Sequence, residues 1–205
     1  MRCIANLETP SSGELTIDST ANQIAMVFQD HALFPWMSLE KNISLILKNN
    51  PKFNSEKVQQ QTLLYLKKVG LAKQADLFPH QVSGGMRQRI NVARSFANEA
   101  DILLMDEPFV FLDFQTRLTL QELLLSIWQE QQKTIVFVTH DIEEAVLLAD
   151  RIIVLSQQPG EIREEIEVDF PRPRNILETR KQAKFIHFIN DLIDLVRSDK
   201  IIENQ

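Results

Sequence analysis

Two adjacent carboxylates at the end of an apolar run are the residues of this chain best suited to chemistry. In Ile102-Leu103-Leu104-Met105-Asp106-Glu107, apolar residues lead directly into Asp106 and Glu107. Such a pair can divide one task, with one acid holding a magnesium ion while the other orients or deprotonates a water. Upstream, Val82-Ser83-Gly84-Gly85-Met86 opens a stretch whose apolar positions Met86, Ile90, Ala93 and Ala97 recur at helical spacing. A helix start made of small residues leaves backbone N–H groups unpaired and lets a phosphate approach the main chain, and the Ser83 hydroxyl adds a donor. Two further polar residues follow apolar runs. Gln29 comes after residues 23–28, and its neutral amide can both donate and accept. His140 lies in Thr139-His140-Asp141, directly after Thr134–Val138. His31 has no second ligand near it in the sequence and reads as a loop histidine.

The elements that must position these groups can be read from the same pattern. Residues 102–105 read as a buried parallel strand, which delivers its acids at the carboxyl end, where such sheets place their sites. Residues 23–28 read as a second apolar strand, 134–138 as another buried strand, 152–155 as a further one, and 161–169 as a more exposed one. Residues 1–8 read as the end of a helix, with Ile4 and Leu7 on one side and Thr9-Pro10 stopping it. A turn at Ser11-Ser12-Gly13 then leads to a short strand at 14–17. Between 38 and 80 the pattern is helical. Ser38 caps a helix carrying Leu39, Ile43, Ile46 and Leu47, and Ser55 caps a longer one carrying Val58, Leu63, Leu66 and Val69, ended by Gly70. Gln59-Gln60-Gln61 is a solvated helix face. Residues 116–131 form a helix with Leu120, Leu123, Leu124 and Ile127 inward. Pro171-Arg172-Pro173-Arg174 marks a linker or turn, and 176–196 an amphipathic helix with Phe185, Ile189, Leu192 and Val196 in register.

Bulk properties narrow the class. With 205 residues, 44% hydrophobic and 24% charged, the chain can bury a sizeable core. A net charge of −6 argues against general nucleic-acid binding. Cys3 is the single cysteine, so there is no intramolecular disulfide and no cysteine-based metal site, in keeping with a reducing cytosol. No apolar run reaches the length of a membrane span and no export leader is expected.

Residues 82–113 taken together resemble the signature motif and Walker B strand of the ABC-type ATPases, and Thr139-His140-Asp141 resembles their switch segment. Residues 29–37 resemble the family's Q-loop, and Phe34-Pro35-Trp36 resembles its nitrate/sulfonate/taurine importer branch in particular. The resemblance implies an α/β fold with a P-loop NTPase-like core sheet and an inserted helical subdomain. Its segments would be 1–37 as core up to the Q-loop, 38–82 as helical subdomain, 83–169 as signature helix, Walker B, D-loop and switch, and 170–205 as a helical extension. It implies ATP and Mg2+ as cofactors, with Glu107 as general base, Asp106 and Gln29 toward the metal, and Gln29 and His140 sensing the γ-phosphate. Ser83, Gly84 and Gly85 would bind the ATP held by a second ATPase subunit, identical or not, and Asp113 would order that interface. Phe34, Trp36 and Met37 would contact a transmembrane permease at the inner face of the membrane, with a solute-binding protein acting indirectly.

Two departures from the family pattern carry expectations of their own. In the family a segment like residues 2–15 directly follows the phosphate loop GxxGxGK[ST], which does not occur in these 205 residues. The expectation is a core lacking its N-terminal strands and P-loop, and a chain inactive as given. Val110-Phe111 stand where the importer branch has Gly-Ala, which sets bulky side chains in the loop that crosses to the partner. Other readings stay open here. One is a non-catalytic subunit lending its signature to an intact partner; another is a mis-started or decayed gene product. A third, a DNA-repair or chromosome ATPase, is opposed by the acidic charge and the absence of heptads between the motifs.

Overall fold

The structure, a computed structural model, describes residues 1–17, 24–28, 32–156 and 160–202, which divide into two units, Met1–Val138 and Thr139–Gln205. In the first, strands β1 (Ile24–Val27), β2 (Ile102–Asp106) and β3 (Thr134–Val138) form a parallel sheet in the order β1-β2-β3. The register sets Val27 against Met105 and Asp106 against Val138. Because β2 is paired on both sides, Leu103, Leu104 and Met105 are fully buried, as an uninterrupted apolar run in a parallel sheet requires. Expected to be buried as well, β3 is not. It pairs with β2 alone among the described residues, and Val138 is 39% exposed.

Four α-helices belong to the same unit. Helix α1 (Leu39–Lys48) starts as expected at Ser38, whose hydroxyl accepts the Lys41 N–H at 3.2 Å. Helix α2 (Ser55–Lys68) is capped by Asn54 rather than Ser55, because the Asn54 backbone is extended and its Oδ1 accepts the Lys57 N–H at 2.8 Å. It ends at Gly70, φ +71°, with Gly70 and Leu71 N–H groups donating to Lys67 and Leu66 carbonyls, the Schellman closure that wants glycine. Leu63 faces solvent instead of the core. Thr62 and Tyr65 take the inward positions, and the Tyr65 hydroxyl donates to the Phe96 carbonyl at 3.1 Å. Helix α3 (Gly84–Ala97) and helix α4 (Phe114–Gln131) complete the unit. The amino-terminal residues form one turn rather than a helix. Asn6, φ +57°, closes it before Thr9-Pro10, with Leu7 N–H donating to the Arg2 carbonyl at 2.9 Å. Residues 14–17 carry no strand.

In the second unit, α5 (Ile142–Leu148) precedes an antiparallel hairpin of β4 (Arg151–Leu155) and β5 (Ile162–Glu167). The expected single terminal helix is two, α6 (Ile176–Arg180) and α7 (Ala183–Ile202). The chain restarts at Gln182, whose carbonyl accepts from Phe185 N–H at 3.0 Å, and this sets Phe185 edge-on against Phe170. Phe185 and Leu192 are buried but Val196 is exposed.

The segment read as a linker or turn is instead a packed cap. Arg174 is buried, and its guanidinium donates to the carbonyls of Val146, Leu147 and Ala149 at the end of α5, and to those of Val168 and Phe170. Burial, with Arg172 nearby, pulls its pKa down to about 10, so it remains cationic at neutral pH. Beside it Arg172 donates to Asp150 at 2.7 Å and to the Leu148 carbonyl at 2.7 Å. A lysine cannot reach five carbonyls from one nitrogen. Arg174→Lys should therefore cost about 2–4 kcal/mol in denaturant melts of the second unit, whereas exposed Arg151→Lys should stay within about 0.5 kcal/mol. Equal effects would mean that Arg174 does not cap α5.

Candidate functional site

The acids at the end of β2 leave the sheet through a strained corner. Asp106 is its last paired residue. Glu107 then turns to φ +44° while its N–H still donates to the Val138 carbonyl at 2.9 Å. Both acids are half-buried. A non-glycine residue held in the left-handed region costs of order 1–3 kcal/mol and persists only where its surroundings over-determine it. The next residue, Pro108, is buried, and its carbonyl accepts from Gln88 Nε2 on α3 at 2.6 Å.

The amino end of α3 is built as its sequence indicates. Ser83 is exposed and extended, and its Oγ accepts the Met86 N–H at 3.2 Å, which leaves the hydroxyl proton free to be donated outward. Arg87 holds the segment ahead of it by donating to the Val82 and Pro79 carbonyls at 3.0 and 3.3 Å. Gly85 lies directly against Thr116 in the first turn of α4, and a Cβ there would overlap the Thr116 methyl. Asp113 is the N-cap of α4. Its Oδ1 accepts the Thr116 N–H at 3.0 Å, and the Thr116 side chain, followed by backbone donors, holds this exposed carboxyl below its ordinary range.

That contact makes a prediction. Gly85→Ala should destabilise the first unit by about 1–3 kcal/mol through overpacking, and adding Thr116→Ala should recover part of the loss. Strictly additive losses in the double variant would show that the two positions do not press on each other.

The loop before α1 is fixed by a fully buried amide. Asn42 accepts the Phe34 N–H at 2.8 Å and donates to the carbonyls of Phe34, Met37 and Ser38, while Arg94 donates to the Ala32 carbonyl at 2.9 Å. On this rigid loop Phe34 and Met37 are half-buried. Trp36 is 70% exposed, its ring 5.7 Å from that of Phe34.

The first unit thus brings Ser83–Gly85, Asp106–Glu107 and Asp113 onto one framework of α3 and residues 107–116. Gln29 lies outside the described residues. His140 belongs to the second unit and is exposed there, between Thr139, whose Oγ1 accepts the Asp141 N–H at 3.0 Å, and Asp141, the cap of α5. Among the described residues no group of three or more His, Cys, Asp or Glu could by itself hold a metal ion.

Residues 1–110 match the family described as ABC transporter. The chain belongs to the ABC transporter ATPase family. It is 39% identical over 206 residues to the uncharacterized ABC transporter ATP-binding protein MJ0412 of Methanocaldococcus jannaschii, covering 97% of this chain and 74% of that one. It is 37% identical over 215 residues to the nitrate import ATP-binding protein NrtD of Synechocystis sp., covering 100% and 80%, respectively. With the aliphatic sulfonates import ATP-binding protein SsuB of Bacillus anthracis it shares 39% over 180 residues, 85% of this chain and 70% of that one. Among solved structures, the ATP-binding cassette MJ0796, a dimer in a post-hydrolysis state bound to ADP and Pi, superposes with a TM-score of 0.69 at 32% identity, over 82% of this chain and 79% of that chain. ABC ATPases of this kind couple ATP hydrolysis to transport, and the parallel α/β core described above is their fold.

Three residues that support the site in this ABC ATPase were not singled out by sequence pattern: Asn42, Gln88 and Thr116. Each is a polar residue inside a helix otherwise read by its apolar positions.

Proposed function

We propose that this chain is the ATP-hydrolysing subunit that energises an importer of small anionic solutes. One observation carries the reading. The acids Asp106 and Glu107 and the helix start Ser83–Gly85 share one framework, in a chain 37–39% identical to subunits named for nitrate and aliphatic sulfonate import.

In this reading Glu107 would take the proton of the attacking water, and Asp106 would hold the metal through a water. Gln29 would serve the same metal and, with His140, would sense the γ-phosphate. Ser83, Gly84 and Gly85 offer a hydroxyl and free N–H groups to the ATP of a second ATPase subunit, beside Asp113 and the bulky Val110-Phe111. The donor set suits Mg2+, a hard cation that keeps several waters and needs only one or two protein carboxylates beside substrate phosphates. Bound there, the ion neutralises phosphate charge as a Lewis acid. No helix of the described residues is long and apolar enough to cross a membrane; in this reading a separate permease supplies the path. The chain would work against that permease from the cytoplasmic face, with Phe34, Trp36 and Met37 in contact with it. The segments follow the same plan: core to residue 37, helical subdomain 38–82, signature-to-switch core 83–169, and a helical extension from 170.

The importer reading is tested at Trp36. Its exposure leaves little packing to lose, so Trp36→Ala should keep the melting profile while reducing co-purification with the permease by about tenfold, as loss of an exposed aromatic anchor does. Unchanged recovery would remove the docking role, and unfolding would make Trp36 a core residue.

A further inference from the structure

Gln88 is fully buried, although its amide carries two donors and an acceptor. A leucine would fill similar volume without desolvating an amide, so the bond made by Gln88 is what sets the glutamine apart. Its Nε2 donates to the carbonyl of Pro108, 20 residues away and immediately after Glu107. Proline has no N–H, so nothing can hold the backbone at that position through an amide donor. Two anchors therefore bracket the left-handed Glu107: its own N–H on Val138, and the Pro108 carbonyl on Gln88. One turn earlier, on the same face of α3, Gly85 presses against Thr116 at the far end of residues 107–116.

We infer that Gln88 is a positioning residue that locks the backbone of Glu107 to α3, so that the acids at the end of β2 and the amino end of α3 move as one body. The catalytic consequence rests on the proposed ATPase reading. There, Ser83–Gly85 face a partner's nucleotide while Glu107 serves the chain's own, and Gln88 transmits a displacement at one to the other.

The test is amide hydrogen exchange, followed by mass spectrometry on the full 205-residue chain at low concentration, for Gln88→Leu and Gln88→Met. Each retains apolar bulk and removes the donor. Exchange in residues 107–113 should become about tenfold faster, the loss of roughly one buried hydrogen bond, while α1 and α2 keep their protection. Unchanged exchange at 107–113 would overturn the proposal. So would equal loosening of α1 and α2, or failure of both variants to fold, because each of these marks Gln88 as a general packing residue. No nucleotide enters the measurement, so its failure would leave the ATPase reading standing, and absent hydrolysis would leave the clamp standing.

Discussion

Glu107→Gln is expected to lower kcat by about 10²–10⁴-fold while leaving Mg-ATP binding within a few-fold, the effect of removing a general base without removing a binding group. The measurement uses the chain joined to a GxxGxGK[ST]-bearing segment from a relative. Glutamine matches glutamate in size and can occupy the same half-buried corner between the Val138 and Pro108 anchors. It cannot accept a proton from water at neutral pH. Asp106→Asn provides the contrast: its deficit should be partly relieved by raising Mg2+, because a metal-facing carboxylate and a base fail in different ways. Hydrolysis by Glu107→Gln within about threefold of the parent would assign the base elsewhere, since a general base is worth at least about a hundredfold.

The 205 residues by themselves are expected to take up no Mg-ATP in a calorimetric titration at micromolar concentration. Micromolar affinity corresponds to about −8 kcal/mol, and the groups present have no evident source for it. A polyanion in this superfamily is held by a lysine and a nest of backbone N–H groups, with adenine stacked on an aromatic residue. Asp106 and Glu107 are themselves anionic and repel ATP unless the metal intervenes. The side of β3 that pairs with no described residue adds a second expected defect. Thr134–Val138 has no charged residue and pairs on one side only among the described residues, so at high concentration the chain should self-associate through it. Joining the phosphate-loop segment, or adding an intact homologous subunit, should restore nucleotide uptake and solubility together. Micromolar binding by the 205 residues alone would refute this.

Much of the site was legible because its signals are local. An uninterrupted apolar run ending in two acids needs only its own residues to read as a buried parallel strand, and β2 is one. Caps depend on one side chain and an N–H two or three positions ahead, so Ser38 was readable, as was Gly70 closing α2. Where two capping residues adjoin, at Asn54-Ser55, the backbone angle decides between them, and it fell one residue earlier than the pattern indicated.

Non-local pairing decided everything else. Residues 14–17 alternate well enough for a strand but carry none, and Thr134–Val138 is apolar enough for a central strand but pairs on one side only among the described residues. Periodicity reads how apolar residues recur along one element, whereas the burial of a polar group depends on a carbonyl elsewhere in the chain. Asn42 is buried because the loop at 34–38 turns its carbonyls inward, and Arg174 because α5 ends beside it. Gln88 is buried where the Pro108 carbonyl, 20 residues further along the chain, accepts from it. By itself, then, the sequence determined which strand and which helix present the candidate residues. Only the tertiary structure decided which polar side chains hold those elements in register, because each of their hydrogen bonds closes on a partner that no local pattern specifies.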